Sequence, residues 1–263
     1  MRRLAWNGVL ALALALPAAA WPSHLVEPLQ RDARRLVPRT LAQLLKERET
    51  QILEEARRLP PELVQALAAD LARGALSEPT ARALETRAAG AEQAIKAGRL
   101  SEGLVQLGAL VRIAADLADP ALASGPHGFP AGVTGEYYAF VERSLPKIPV
   151  VLDDRAALKL PRQRLPAYWQ ELAARSRVQA PVLRAELWKG GRLVSHRTID
   201  YRNPLFGVAS LSYSRAVTAI AATWLAVWRE VKGDVTRQPA PVVVAPRVGF
   251  AAPATVAGLS RED

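Results

Sequence analysis

The spacing of apolar residues in the first half of the chain constrains the fold most, because it has the period of an α-helix over long stretches. Between Leu41 and Leu117, apolar residues recur three and four positions apart, which places them on one face of a helix. Proline and capping residues divide this half into separate helices, with starts expected near Pro38, Pro61 and Ser77. The pattern predicts a mainly α protein, a multi-helix bundle.

The second half adds further helices and one β-hairpin. Residues 182–189 and 192–201 flank Gly190-Gly191, a two-residue turn signal, so we expect a short β-hairpin at about 182–201. The helices are expected at about 135–145, 165–178 and 211–231. The apolar interior of the last one, residues 216–228, spans only thirteen residues between two arginines. A membrane span needs about 20 residues, so this segment is expected to be a buried core helix.

The N-terminal twenty residues have the pattern of a secretory signal peptide. Arg2 and Arg3 precede the apolar stretch Val9–Leu16, and the small residues Pro-Ala-Ala-Ala follow at 17–20. We therefore expect removal of residues 1–20, a mature chain that begins at Trp21, and a periplasmic or secreted protein. No transmembrane span is expected after signal removal.

The rest of the chain is expected to form one helical domain over residues 21–235. Residues 236–263 are rich in proline, alanine and valine and show no helical or strand period. Such a composition is typical of a disordered tail.

Composition excludes several kinds of site. The chain has no cysteine, which rules out disulfides, thiolate zinc sites and a cysteine nucleophile. Its three histidines are His24, His127 and His196, too few for a site rich in imidazole. The sequence contains no glycine-rich phosphate loop, no nucleophile elbow and no H-E-x-x-H motif.

Positive charge is concentrated in one segment. The net charge of the chain is +10, and residues 155–202, with eleven basic and three acidic residues, carry +8 of it. A basic segment attracts anionic partners over long range, so an anionic surface or a phosphate-containing ligand is a possible partner. A solvated surface that only keeps the protein soluble remains the alternative.

Three motifs resemble those of the zinc-dependent phospholipase C and single-strand nuclease superfamily. The expected mature N-terminus reads Trp21-Pro22-Ser23-His24, where that family has an N-terminal tryptophan followed by a histidine. Residues 112–122 match the family motif H-x-x-x-D-x-x-x-P-x-H at Asp116 and Pro120. Residues 138–142 match a third motif, H-x-x-x-E, at Glu142. The chain is thus similar to a family of exported helical proteins that hydrolyse phosphodiesters with a trinuclear zinc cluster.

The same motifs lack most of the histidines. Arg112, Leu122 and Tyr138 stand where the family has imidazole ligands. The resemblance implies four candidate metal ligands, Trp21, His24, Asp116 and Glu142, with Asp119 and His127 as further donors. That set is enough for a single zinc ion at most, so we expect either one zinc ion or none.

Helical spacing suggests what replaces the metal. Residues 112 and 116 lie four apart and therefore share a helix face. We expect the guanidinium of Arg112 to form a salt bridge with Asp116 in the place of a metal ion. A solvent-directed Arg112 would refute this hypothesis.

Three functions remain open at this point. The first is an exported relative of the phospholipase family that kept the fold and lost catalysis, with a degenerate metal site. The second is an active metal-dependent phosphodiesterase or phospholipase with a reduced site. The third is a basic envelope protein that binds anionic surfaces through residues 155–202, with Tyr168, Trp169, Trp188 and Tyr201 at the contact.

Overall fold

The computed structural model of the chain describes residues 21–124, 128–152 and 154–235. The predicted signal peptide, the predicted tail, and His127 lie outside the described residues. Within them the fold is mainly α, as the periodicity predicts. The α-helices are α1 Ser23–Arg34, α2 Arg39–Glu47, α3 Glu49–Arg57, α4 Pro61–Arg73, α5 Glu78–Lys96, α6 Leu100–Leu117, α7 Val133–Ser144, α8 Leu165–Leu187 and α9 Pro204–Glu230.

Among the residues that the structure describes, the connections contain four short 3-10 helices and one small antiparallel hairpin. The 3-10 helices are Leu145–Lys147, Arg155–Lys159, Arg162–Arg164 and His196–Thr198. In the hairpin, β1 (Trp188–Lys189) pairs with β2 (Arg192–Leu193), so that Trp188 lies opposite Leu193. Both turn glycines, Gly190 and Gly191, have positive φ angles of 57° and 75°, which favour glycine and suit a tight hairpin turn.

The hairpin is much shorter than the predicted span 182–201, and this part of the prediction is wrong. Residues 182–187 continue helix α8, which therefore runs nine residues past the predicted end at Val178. Leu183 and Leu187 are buried at helical spacing, and the helix continues through Pro181. Pro181 is on the exposed side of the helix. Proline has no N–H, so one backbone carbonyl in the preceding turn lacks its helical hydrogen bond and can bind water instead.

Helix α9 forms the centre of the core. All its residues from Ser212 to Trp228 are buried except Arg215, and it packs against α1, α6 and α8. By length and composition α9 alone among the described helices could cross a membrane, yet 72% of its most apolar window is buried inside the protein. It begins at Pro204 rather than at the predicted position 211, because the side chain of Asn203 caps it by accepting the Leu205 N–H at 2.8 Å.

Helix α6 brings the predicted site into position by packing closely on two neighbours. Gly108 lies against the backbone carbonyl of Ile52 in α3, and any larger side chain there would clash with it. Gly103 makes a similar approach to the carbonyl of Ala91 in α5. These contacts fix the position of α6 along its axis relative to α3 and α5. Arg112 and Asp116 lie one and two helical turns after Gly108.

Candidate functional site

Several of the residues singled out in the sequence meet where the start of α1, the end of α6 and the middle of α7 converge. Trp21 is fully buried there, and its indole Nε1–H donates a hydrogen bond of 2.9 Å to the carbonyl of Ala115. Its ring packs against that of Tyr138, with centroids 5.9 Å apart. Trp21, two residues before the start of α1, is therefore part of the protein core.

Arg112 and Asp116 form the salt bridge that the spacing predicts. The Arg112 Nε lies 2.9 Å from each carboxylate oxygen of Asp116. The exposed fraction is 17% for the arginine side chain and 1% for the aspartate side chain. The backbone N–H of Trp21 also donates to this carboxylate. The condition that would have refuted the hypothesis, an Arg112 directed at solvent, is not met.

Burial dominates the electrostatics of Asp116. Removal from water raises the pKa of this carboxyl from 3.8 to about 6. The charge of Arg112 and the hydrogen bonds from Arg112 and Trp21 oppose that increase but do not cancel it. The pKa of Asp116 therefore stays above its usual value even within the ion pair. Without Arg112 and the Trp21 N–H, burial would raise this pKa further.

A second buried carboxyl, Asp119, lies just beyond the end of α6. One of its oxygens accepts the Ala121 N–H at 2.8 Å, and the other accepts the Tyr138 hydroxyl at 2.7 Å. Burial, with a smaller contribution from the nearby charge of Asp116, raises the pKa of Asp119 to about 7. Tyr138, which stands where the family has a histidine, thus serves as a hydrogen-bond donor to an acid.

His24 and Glu142 lie apart from this buried cluster. Their side chains form a pair with Nε2 and Oε2 3.4 Å apart, and each is more than half exposed. Leu122, at the position of a family histidine, is buried in the hydrophobic core. The four predicted ligands therefore meet as two pairs, Trp21 with Asp116 and His24 with Glu142.

The donor set fits a metal ion poorly. Both oxygens of Asp116 face Arg112, and the Asp119 oxygens accept hydrogen bonds from Tyr138 and from Ala121. Within the described ranges, no three histidine, aspartate or glutamate side chains gather closely enough to hold a metal ion.

A narrow cleft beside Arg112 is a feature that the sequence did not predict. It is lined by residues of α1, α3 and α6, including Ser23, Arg57 and Arg112. Its volume is about 10 Å³, which is room for roughly one water molecule. Arg57 comes from a separate helix, and no local motif marks it as a neighbour of Arg112.

The basic segment is only partly neutralised. Among its eleven basic residues, Arg162, Arg175 and Lys189 have carboxylate partners. The other eight form no ion pair with a described acidic residue within 4 Å: Arg155, Lys159, Arg164, Arg177, Arg184, Arg192, Arg197 and Arg202. Tyr168 and Trp169 are buried, so the expectation that they contact an anionic surface is wrong. Trp188 and Tyr201 remain partly exposed.

Comparisons with known proteins add nothing to this geometry. Searches against protein-family models, curated proteins and solved structures each find no significant match to the chain. The similarity to the zinc-dependent phospholipase C superfamily accordingly stays a prediction from motifs.

Proposed function

We propose that this chain is an exported, non-catalytic helical protein that resembles the zinc-dependent phospholipases C, in which an ion pair replaces the metal. The observation that carries the proposal is the bond from the Arg112 Nε to both oxygens of buried Asp116. A guanidinium there supplies the positive charge and the directed donors that a carboxylate would otherwise receive from a metal ion. The hydrogen bond from Tyr138 to Asp119 supports the same interpretation, because it engages a carboxylate oxygen that could otherwise bind a metal ion.

The cleft at this position also supports a role without catalysis. A space for about one water molecule beside Arg112 does not admit a phosphodiester together with an attacking nucleophile. Electrostatic catalysis requires preformed donors around the reacting group, whereas the donors found here are aimed at the protein's own carboxylates. The site is therefore suited to holding three helices together.

The metal content of the exported protein tests this proposal. The protein would be processed in a bacterial periplasm, left untagged at Trp21, and examined by elemental mass spectrometry. We expect no stoichiometric zinc and no hydrolysis of bis(p-nitrophenyl) phosphate. Two or more zinc ions per chain, with hydrolysis, would instead establish the active phosphodiesterase. One zinc ion that is lost in His24→Ala or Asp116→Asn would establish a remodelled metal site.

A second candidate function is binding to an anionic surface through residues 155–202. The eight basic side chains without a described carboxylate partner favour it. Each basic residue near an anionic membrane contributes about 1 kcal/mol, so binding should weaken strongly with added salt.

Vesicle sedimentation tests this second function. The triple variant Arg184→Gln, Arg192→Gln, Arg202→Gln removes three exposed charges and should weaken binding to anionic vesicles by roughly 100-fold. A triple variant with the same loss of charge outside the segment, Arg39→Gln, Lys46→Gln, Lys232→Gln, serves as the control. Equal losses in the two variants would mean that only the net charge matters and would contradict a specific surface.

A further inference from the structure

The buried cluster at the end of α6 contains more negative than positive groups. Asp116 and Asp119 are both almost completely buried, and the charge of Asp116 makes ionisation of Asp119 less favourable. Arg112 is the one cationic side chain hydrogen-bonded to either of them among the described residues. Asp119 is bonded by neutral donors, the Tyr138 hydroxyl and the Ala121 N–H. Two buried carboxyl groups therefore share a single bonded cation.

The backbone nitrogen of Trp21 is placed against this cluster. Its N–H donates to the Asp116 carboxylate. Three features hold the residue there: complete burial, the indole hydrogen bond to Ala115, and the ring contact with Tyr138. The packing of the Trp21 side chain therefore holds its backbone nitrogen near Asp116.

We propose that Asp116 is a receptor for a processed N-terminus, and that hydrolysis between residues 20 and 21 places the α-ammonium group of Trp21 in a buried salt bridge with it. In this reaction water adds to the carbonyl carbon of residue 20, and the C–N bond breaks. The leader then leaves as a carboxylate, and the nitrogen of Trp21 takes both protons of the water molecule and becomes an ammonium group. A leader peptidase supplies the catalysis, and water is the co-reactant.

The change in charge is what makes the processed form different. Before hydrolysis the Trp21 nitrogen is a neutral amide that donates one hydrogen bond. Afterwards it is an ammonium group with three N–H donors and a full positive charge at neutral pH. The cluster then has two cations for two carboxyl groups, which is the condition under which buried charges are tolerated. This inference rests on the predicted removal of residues 1–20 in the proposed function.

The experiment compares chains with defined N-termini made in vitro. A cleavable fusion yields one chain that begins at Trp21 and a matched control with a single added glycine before it. The added residue turns the Trp21 nitrogen back into a neutral amide and moves the ammonium about 3.8 Å away along the chain. In the presence of a chelator, we expect the Trp21 form to melt about 5–10 °C above the glycine-extended form.

An Asp116→Asn background tests whether the effect comes from this carboxylate. There the two N-terminal forms should melt at the same temperature, because the amide gives the ammonium no opposite charge. Equal melting temperatures in the wild-type background would overturn the proposal. So would a difference that appears only when zinc is added, because the amine would then be serving a metal ion.

A labelling measurement avoids any dependence on the folding of the Asp116 variant. An amine-reactive ester followed by mass spectrometry reports the accessibility of the α-amine. We expect Trp21 to react at least tenfold more slowly in the folded protein than in urea, and the added glycine to react at nearly the same rate in both. Similar rates for folded and unfolded Trp21 would overturn the proposal. Neither measurement involves secretion, so a chain that keeps residues 1–20 in cells would separately disprove the removal of the signal peptide.

Discussion

A buried pair at the end of α6 and an exposed pair between the start of α1 and helix α7 contain three of the predicted metal ligands, Asp116, His24 and Glu142. Arg112 and Asp116 form a pair that is almost removed from water, with 2.9 Å from the guanidinium Nε to each oxygen. His24 and Glu142 form a longer pair of 3.4 Å whose side chains are more than half exposed. The comparison teaches that burial, and not the presence of opposite groups, decides how much a pair matters to the protein.

The largest effect should follow from the removal of the guanidinium. Arg112→Met leaves the buried Asp116 with the Trp21 N–H as its remaining described donor. We expect the free energy of unfolding to fall by about 3–5 kcal/mol, as measured by urea denaturation. The double variant Arg112→Met, Asp116→Leu removes both charges and should recover part of that loss. A single variant within about 1 kcal/mol of wild type would show that the two pairs are equivalent after all.

Stability should fall as the pH rises, and Asp119 should be a major cause. Burial raises the pKa of this carboxyl from 3.8 to about 7, so the folded state keeps a proton that the unfolded state has lost. The free energy of unfolding should therefore decrease as the pH rises from 4 to 7, by an amount on the order of 2–4 kcal/mol. The measurement is urea denaturation at several pH values on the glycine-extended chain.

Asp119→Asn provides the control for the pH effect, because its side chain stays neutral at every pH. The variant should lose most of the slope between pH 4 and pH 7. If the dependence of stability on pH were unchanged in this variant, other groups would have to cause it. Asp116, with a pKa of about 6, is one of them. The chain that begins at Trp21 should have a shallower slope than the glycine-extended chain, because a nearby ammonium favours ionised carboxylates.

A smaller effect is expected for the hydroxyl that bonds Asp119. Tyr138→Phe removes the donor at 2.7 Å and keeps the ring that packs against Trp21. The loss should be about 1–3 kcal/mol in urea denaturation, because a buried acceptor is left without this partner. Tyr201→Phe, in a partly exposed tyrosine of the hairpin region, is the control and should change stability by less than about 0.5 kcal/mol.

The exposed pair should give the smallest effect. His24→Ala and Glu142→Gln each break a contact between side chains that are more than half exposed. We expect either change to alter the free energy of unfolding by less than about 0.5 kcal/mol, measured at pH 6 and pH 8. A loss of 2 kcal/mol or more, on the order of a buried pair, would break the comparison between the two pairs.

Local patterns in the sequence predicted the helical elements well and their ends less well. The mainly α fold, the turn at Gly190-Gly191 and the burial of Trp224 and Trp228 all agree with the structure. The strand at 182–187 was wrong because it was inferred from the glycine turn that follows, whereas Leu183 and Leu187 are buried at helical spacing and continue α8. The early start of α9 was missed because it depends on a capping hydrogen bond from the Leu205 N–H to the Asn203 side chain, and the helical period of apolar residues does not reveal that bond.

The sequence by itself determined the contacts that depend on helical spacing. Arg112 and Asp116 are four residues apart, so their pairing follows from the geometry of one helix. Only the tertiary structure decided the rest of the cluster. Tyr138 bonds Asp119 across 19 residues, and Trp21 bonds Ala115 across 94. Local spacing carries no information about such contacts, because they depend on how α1, α6 and α7 pack, and that packing also sets which carboxylates lose their water.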